Sequence, residues 1–358
     1  MSRQKGKATN RAAGAGKIVT SVRRFRRALT GPGVLASGLM LGLGVLPSAH
    51  AQEGSQELEA LQVRPNFYMI AGAGGNIAVQ IGQDGVVLVD AGTDEAANRV
   101  VAAIKRLTDQ PIRYIINTSA DADHVGGNAK LAKAGRSIFA VGTEPLGGEA
   151  ARAMTNGFAA SILSTEKVLL RMSAPTGKVS PFPSEAWPVE TYADKRKYLY
   201  FNNEGIELLH QPAAHSDGDS IVFFRASDVV VAGDTLDTTR FPVIDPAKGG
   251  SIQGEIDTLN RLIELAIPPI PFVFAEGGTY VIPGHGRLCD QRDVVDYRDM
   301  VVTIRDIIQD MIKSGKTLEQ VKEASPAEGW APQYGSKTGP WTTDNFVEAV
   351  YKSLKGAK

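Results

Sequence analysis

Beyond residue 62, apolar residues fall into short runs broken by Gly, Asn and Asp. Phe67–Ile70, Asn76–Gly82 and Gly85–Asp90 predict three strands joined by turns. Val100, Val101, Ile104 and Leu107 recur at helical spacing, so Asp94–Leu107 predicts a helix with Thr93 as its cap. Ile112–Asn117 predicts a buried strand, Asn128–Ala134 a helix and Ser137–Val141 another strand. A helical stretch is expected near Glu149–Leu170, followed by a segment rich in proline (Pro175, Pro181, Pro183, Pro188). Residues 144–200 could form a lid over a site or a surface insertion. Strands resume at Lys197–Phe201, Ile206–His210, Ser220–Phe224 and Val229–Ala232. A helix at Ile256–Leu265, a strand at Tyr280–Ile282 and a helix at Val294–Ile312 follow. Two amphipathic pieces, Leu318–Ala324 and Thr343–Leu354, come last, and residues 52–62 read as a polar arm. Strands alternating with helices in this order predict a layered α/β fold.

Composition narrows the picture. Of 358 residues, 43% are hydrophobic and 22% charged, which is a globular balance. A single cysteine, Cys289, excludes an internal disulfide framework, a cysteine zinc finger and an iron–sulfur cluster, and reads as a buried structural residue. The overall neutrality hides an asymmetry. Residues 1–51 hold nine Lys/Arg and no acid, leaving 30 basic against 39 acidic residues downstream. Such a chain is a poor partner for nucleic acid, whose phosphates need clustered cations.

The basic start ends at Arg27. An apolar run, Val34–Leu46, follows and is diluted by Gly38, Gly42 and Gly44; then come Ser48-Ala49-His50-Ala51 and the polar Gln52-Glu53. This is the order of a cleavable export signal. The run is 13 residues long, short of the roughly 20 that span a bilayer. Arg23-Arg24 resemble a twin-arginine signal, with Phe25 and Arg26 after the pair. A periplasmic or secreted protein is expected, cleaved after Ala51 and without stable membrane insertion afterwards. The expected organisation is a signal over 1–51, a catalytic-type domain over 62–312 and a helical extension over 313–358.

Four loops carry the candidate chemistry, each at the end of an expected strand. Asn117-Thr118-Ser119-Ala120-Asp121-Ala122-Asp123-His124-Val125-Gly126-Gly127 precedes a helix and holds oxygen ligands and an imidazole within six residues. Alternation at 119, 121 and 123 would aim them to one side of an extended loop, and the glycine pair would allow close backbone approach. Ala214-His215-Ser216-Asp217-Gly218-Asp219 lies between two strands, with Asp217 and Asp219 read as turn caps. Gly233-Asp234 and Pro283-Gly284-His285-Gly286 each end an apolar strand. Imidazoles and carboxylates converging at strand ends make a nitrogen–oxygen site suited to Zn, Fe or Mn. His210 reads as a packed, hydrogen-bonded ring or a support for such a site.

These motifs, in this order over residues 62–312, resemble the metallo-β-lactamase superfamily. The resemblance implies a four-layer αβ/βα sandwich with a metal site at one edge between two sheets. It implies a complete second metal site at Asp123, His124 and His285, with Asp234 as a bridging carboxylate. The first site departs from the family pattern: Ser119 and Asp121 stand where two histidines are usual, leaving Asp121, His215 and Asp234. One or two zinc ions are implied, and the carboxylate-rich first site would also suit Mn or Fe; a mononuclear and a modified dinuclear centre both stay open. The activity implied is hydrolysis of a small-molecule ester, lactone, lactam or thioester by metal-activated water, with Asp123 or Asp121 orienting that water or accepting its proton. The alternatives are a non-catalytic binding module of the same fold and a redox di-metal protein. Oligomeric state is not readable from these residues.

Mass spectrometry of the exported protein should find Gln52 as its first residue; an intact N-terminus on membrane-bound protein would overturn the cleavage assignment.

Overall fold

Val86-Val87-Leu88-Val89 contains no polar position, and the computed structural model shows why: all four side chains are buried, alternately on two covered faces of one sheet. The structure describes residues 57–138, 159–269 and 277–356. Residues Gly54–Lys358 form one compact unit.

The first sheet has seven strands in chain order, β1 (Ala60–Arg64), β2 (Phe67–Ala73), β3 (Gly75–Gly82), β4 (Gly85–Val89), β5 (Ile112–Ile116), β6 (Ser161–Thr165) and β7 (Glu190–Tyr192). β1 to β4 pair antiparallel, whereas β5, β6 and β7 continue parallel to β4. Parallel neighbours require crossovers, and α1 (Ala97–Leu107) makes the first of them. The second sheet holds β8 (Arg196–Phe201), β9 (Glu204–Gln211), β10 (Asp219–Phe224) and β11 (Val229–Asp237), pairing antiparallel in sequence, with β12 (Tyr280–His285) parallel to β11.

Residue alternation sorts the core into layers. Phe67, Met69, Val87, Val89, Tyr114 and Ile116 of the first sheet meet Ile206, Leu208, Val222, Phe224, Val231 and Ile282 of the second. Phe67 and Phe224 touch edge to face at this junction, with centroids 4.8 Å apart. The intervening residues, such as Leu88 and Ile115, turn outward to Val100 and Ile104 of α1 and Leu131 of α3 (Asn128–Ala134). On the far side Ile221, Val230 and Val281 pack on α5 (Ile252–Leu265) and α6 (Gln291–Lys313). Helix, sheet, sheet, helix is the expected four-layer sandwich.

α2 is the single turn Ala122–Val125, and α4 is Glu166–Met172. The C-terminal helices α7 (Leu318–Glu323), α8 (Ala331–Tyr334) and α9 (Thr343–Gly356) join the outer core. Phe346 of α9 stacks on Phe241, with centroids 4.9 Å apart and the planes within 2°. Cys289 is buried where it bridges to Val281, and burial pushes its thiol up to about 12. Among the described residues no helix is long and apolar enough to cross a membrane.

Several local expectations differ from the structure. Part of the supposed polar arm is β1, an edge strand whose alternation is too weakly apolar to read. Residues 161–165 are strand and not helix, because they pair with β5; the helix starts only at Glu166, where the Thr165 side chain caps it. With β6, α4 and β7 inside it, residues 161–192 are part of the sandwich and not a surface insertion. α1 begins at Ala97, with Thr93 Oγ accepting from the Ala96 amide at 3.3 Å. The expected strand Ser137–Val141 lies outside the described residues beyond Ile138, as do residues 149–158 of the expected helix and residues 1–56, where an export signal is expected.

Phe346→Ala should lower unfolding stability by about 3–5 kcal/mol, the cost of truncating a buried phenylalanine. Urea unfolding would show it as a fall in midpoint at an unchanged slope.

Candidate metal centre

The site forms where the strand ends of the two sheets meet. β5 ends at Ile116 and leads into Asn117–His124; β11 carries Asp234, β12 ends in His285, and the β9–β10 connection carries His215. Asn76 on β3 ties the edges together, its Nδ2 donating to the carbonyls of Pro283 (2.9 Å) and Gly286 (3.1 Å). Two glycines make room. Gly233 has φ 56°, and a Cβ there would collide with Thr118 Oγ. A Cβ on Gly284 would come within 2.7 Å of Asp234 Oδ1, so the carboxylate could not keep its place.

One ligand atom from each of Asp123, His124 and His285 lies within 4.8 Å of the others, and the same holds for Asp121, His215 and Asp234. Asp234 stands between the groups. Its Oδ1 is 3.0 Å from His124 Nε2 and 3.4 Å from His285 Nε2. His285 Nε2 is also 3.1 Å from Asp123 Oδ2, and His215 Nε2 is 2.8 Å from Asp121 Oδ2. The structure thus brings together all six residues singled out in the sequence.

Two rings are oriented from behind. His124 Nδ1 donates to Asp90 Oδ2 at 2.7 Å, since a carboxylate can only accept. His215 Nδ1 donates to the Val243 carbonyl at 2.7 Å. With Nδ1 engaged, each ring presents Nε2 to the cluster, the arrangement by which outer hydrogen bonds fix a ligating histidine. His124 and His285 meet edge to face at 5.8 Å, so their Nε2 atoms converge on Asp234. The floor is dry and the rim open: the His124 side chain is 0% exposed and His215 4%, against 30% for Asp121 and 33% for Asp123.

Charge follows this geometry. Burial opposes a charged His215, yet its hydrogen bond to Asp121 and the nearby carboxylates outweigh that and push it up to about 10. Burial likewise opposes charge on His285, and Asp123 and Asp234 push it up to about 9. Burial favours a neutral Asp121, but His215 and then Lys248 bring it down to about 2. His124 is raised and Asp234 lowered in the same way. Without a cation, carboxylates and imidazoles neutralise one another; a divalent ion would take the place of the imidazole protons. Imidazole nitrogens and carboxylate oxygens clustered in two groups, with the outer nitrogens of His124 and His215 already satisfied, fit a divalent metal.

Other expectations resolve differently. The Asp-His loop is not extended: Ala122–Val125 coil into a helical turn, so alternation does not set the side-chain directions. Ser119 is buried, its Oγ accepting from the Asp121 amide at 3.3 Å, and joins neither group. Asp219 accepts from the Ser216 amide and hydroxyl at 2.7 and 2.6 Å, which is the capping role expected of it. His210 contacts the Asp217 carbonyl at 2.8 Å and no ligand. The sequence reading missed Asp90 and Lys248. Asp90 had one signal, an acid closing an all-apolar strand; Lys248, in an ordinary Asp-Pro-Ala-Lys-Gly-Gly turn, had none.

The family model described as the metallo-beta-lactamase superfamily matches residues 71–277. No curated protein matches the chain. Among solved structures, the stereoselective inverting sec-alkylsulfatase Pisa1 from Pseudomonas sp. is similar at 12% identity and TM-score 0.56, over 84% of this chain and 51% of that one. A double mutant of the sec-alkyl sulfatase PisA1 gives 13% and 0.57 over the same shares. A metallo-beta-lactamase from Pontibacter korlensis gives 16% and 0.47, over 68% of this chain and 98% of that one. The chain spans about half the length of the sulfatase structures and shares their fold.

Asp90→Ala should weaken binding of a divalent metal about 10–100-fold, the usual cost of losing an outer partner of a ligating histidine. His285→Ala should lose most of the metal-binding capacity. Titration against a competing chelator measures both, and an unchanged affinity in either variant would remove that residue from the centre.

Proposed function

The chain belongs to the metallo-beta-lactamase superfamily, and from that premise we propose that it is an exported metal-dependent hydrolase acting on a small molecule of ester, lactone, lactam or thioester type. The observation that carries this reading is the pair of rings locked from behind by Asp90 and Val243, which present Nε2 to Asp234 inside the cluster and to Asp121 at its solvent-open rim. Asp123, His124, His285 and Asp234 would hold the ion. Once bound, a divalent ion such as zinc supplies acidified water and polarises the scissile carbonyl.

The protein's own residues do the rest. Asp121 keeps one oxygen on His215 and the other on Lys248, at 2.8 and 3.1 Å. A carboxylate brought down to about 2 is a weak base. With one oxygen on an imidazole and the other on an ammonium, its role is to orient attacking water through a charged hydrogen bond. Asp123, on the exposed side of the cluster, lies 3.1 Å from His285 Nε2. The buried histidine floor keeps bulk water from reaching the reacting groups from below. A cleft of about 420 Å³ opens beside Asp121 and His215, walled by Trp341, Asn345 and Lys352 from the C-terminal segment. It is the natural seat for the remainder of a substrate, and its charged lining is mixed, Lys248 pairing with Asp121 and Asp245 and Lys352 with Glu348.

Zinc-loaded protein should turn over at least one of a chromogenic ester, a thioester, a lactone and a β-lactam. Dipicolinate should abolish the activity and added zinc restore it. Asp121→Asn should lower kcat/KM about 10²-fold with zinc retained. No turnover of any of the four by fully metal-loaded protein would favour a non-catalytic binding module instead.

A further inference from the structure

Lys248 reaches the altered half of the centre at Asp121. Its Nζ lies 3.1 Å from Asp121 Oδ1 and 3.3 Å from Asp245 Oδ2. The other Asp121 oxygen is 2.8 Å from His215 Nε2, so that carboxylate is bracketed by an ammonium and an imidazole.

This is a built position, not the chance reach of a surface lysine. Lys248 ends a 3₁₀ turn, Pro246–Lys248, whose cap is Asp245: its side chain accepts from the amides of Ala247 and Lys248 at 3.0 and 3.3 Å. The Lys248 carbonyl accepts from the Asp217 amide at 2.8 Å and from Arg171 Nη2 at 2.6 Å. Gly249 follows at φ 85°, packed so closely that a Cβ there would meet Asp217 Cβ at 2.9 Å. The Asp245 amide donates to the His215 carbonyl at 3.0 Å, which joins the turn directly to the loop carrying that histidine. The backbone of Lys248 is thus fixed from both sides, and its side chain leads back to Asp121.

Charge counting gives this placement its meaning. A divalent ion among Asp123, His124, His285 and Asp234 is balanced by two carboxylates. Asp121 is balanced by Lys248. A second divalent ion at Asp121, His215 and Asp234 would have to share the Asp121 carboxylate with the ammonium already 3.1 Å from it, and the two cations would repel one another across that carboxylate.

We propose that Lys248 is a built-in cation that takes the electrostatic place of a first-site metal ion, so that the chain binds one ion and uses Lys248 to position Asp121 beside it. The inference rests on the metal-centre reading above and adds why the altered half needs no ion. It makes Lys248 a positioning residue, acting through Asp121.

The test counts zinc. Mature protein is loaded with excess zinc and desalted; elemental analysis gives ions per chain, and calorimetry the affinity of any further ion. The parent should hold one. Lys248→Met should approach two, with the further ion bound at least tenfold more tightly than by the parent, and Lys248→Arg should return to one. Lys248→Gln carries the same test should Lys248→Met fail to fold. The substitution is repeated in a His285→Ala background, where a gain of one ion over that background again supports the inference. No gain in either background, or two ions already in the parent, overturns it. A parent without any ion overturns the metal-hydrolase reading instead, because each gain is counted against its own background.

Discussion

The carboxylate of Asp90 gathers three donors: the Thr118 amide at 2.8 Å, the Thr118 hydroxyl at 2.7 Å and His124 Nδ1 at 2.7 Å. The loop that delivers Asp121, Asp123 and His124 is wound around this one acceptor. Asp90 follows the last residue of β4 and adopts φ 67°, a left-handed conformation that costs a non-glycine residue roughly 1–2 kcal/mol. The surroundings hold it there. Its amide donates to the Ile116 carbonyl at 2.7 Å, and the next amide, of Ala91, donates to the His124 carbonyl at 2.7 Å. Thr118 in turn accepts from the Ser220 amide at 2.9 Å, which carries the connection across to β10 in the other sheet. A buried charge with three donors is stable where an unpaired one would be costly.

What the sequence discloses and what it conceals divide along physical lines. Strands covered on both faces are mostly apolar runs, and β4, and β5 apart from Arg113, could be placed on that ground. The ligand-bearing loops could be found because strand ends are where polar residues interrupt such runs. Asp121, Asp123, His124, His215, Asp234 and His285 all stand out for that reason. β1, β6 and β7 could not be read, since their existence depends on a neighbouring strand and not on their own periodicity. The turn at Ala122–Val125 was hidden because four residues carry no helical period. Lys248 was hidden for another reason. One lysine in a turn looks like every surface lysine, and only the fold reveals that it returns to Asp121 from 127 residues away.

The two halves of the centre differ in how they balance charge. Around His124 and His285 the carboxylates of Asp123, Asp234 and Asp90 are in direct contact with imidazoles, and Arg240 acts on Asp123 and Asp234 only through its field. Around Asp121 a permanent cation is already present. The same sandwich edge therefore offers one face that attracts a divalent ion and one that is electrically settled. This asymmetry arises from the residues that replace a histidine-rich motif together with a turn far away in the chain, so neither change can be interpreted alone.

The packing of α9 has a further consequence, for the order in which the protein is made. Phe346 lies against Phe241, in the segment between Asp234 and Lys248, and Ser353 accepts from the Ile252 amide at 3.0 Å through its hydroxyl. Every ligand residue leaves the ribosome before this helix exists. During that interval the outer core carrying β11, β12 and the Lys248 turn lacks part of its hydrophobic cover, while the hairpins and crossover of the first sheet can already close on themselves. Synthesis thus delivers the ligand residues before the helix that covers the outer core beside them, and until that helix docks the apolar residues around Phe241 stay open to other molecules.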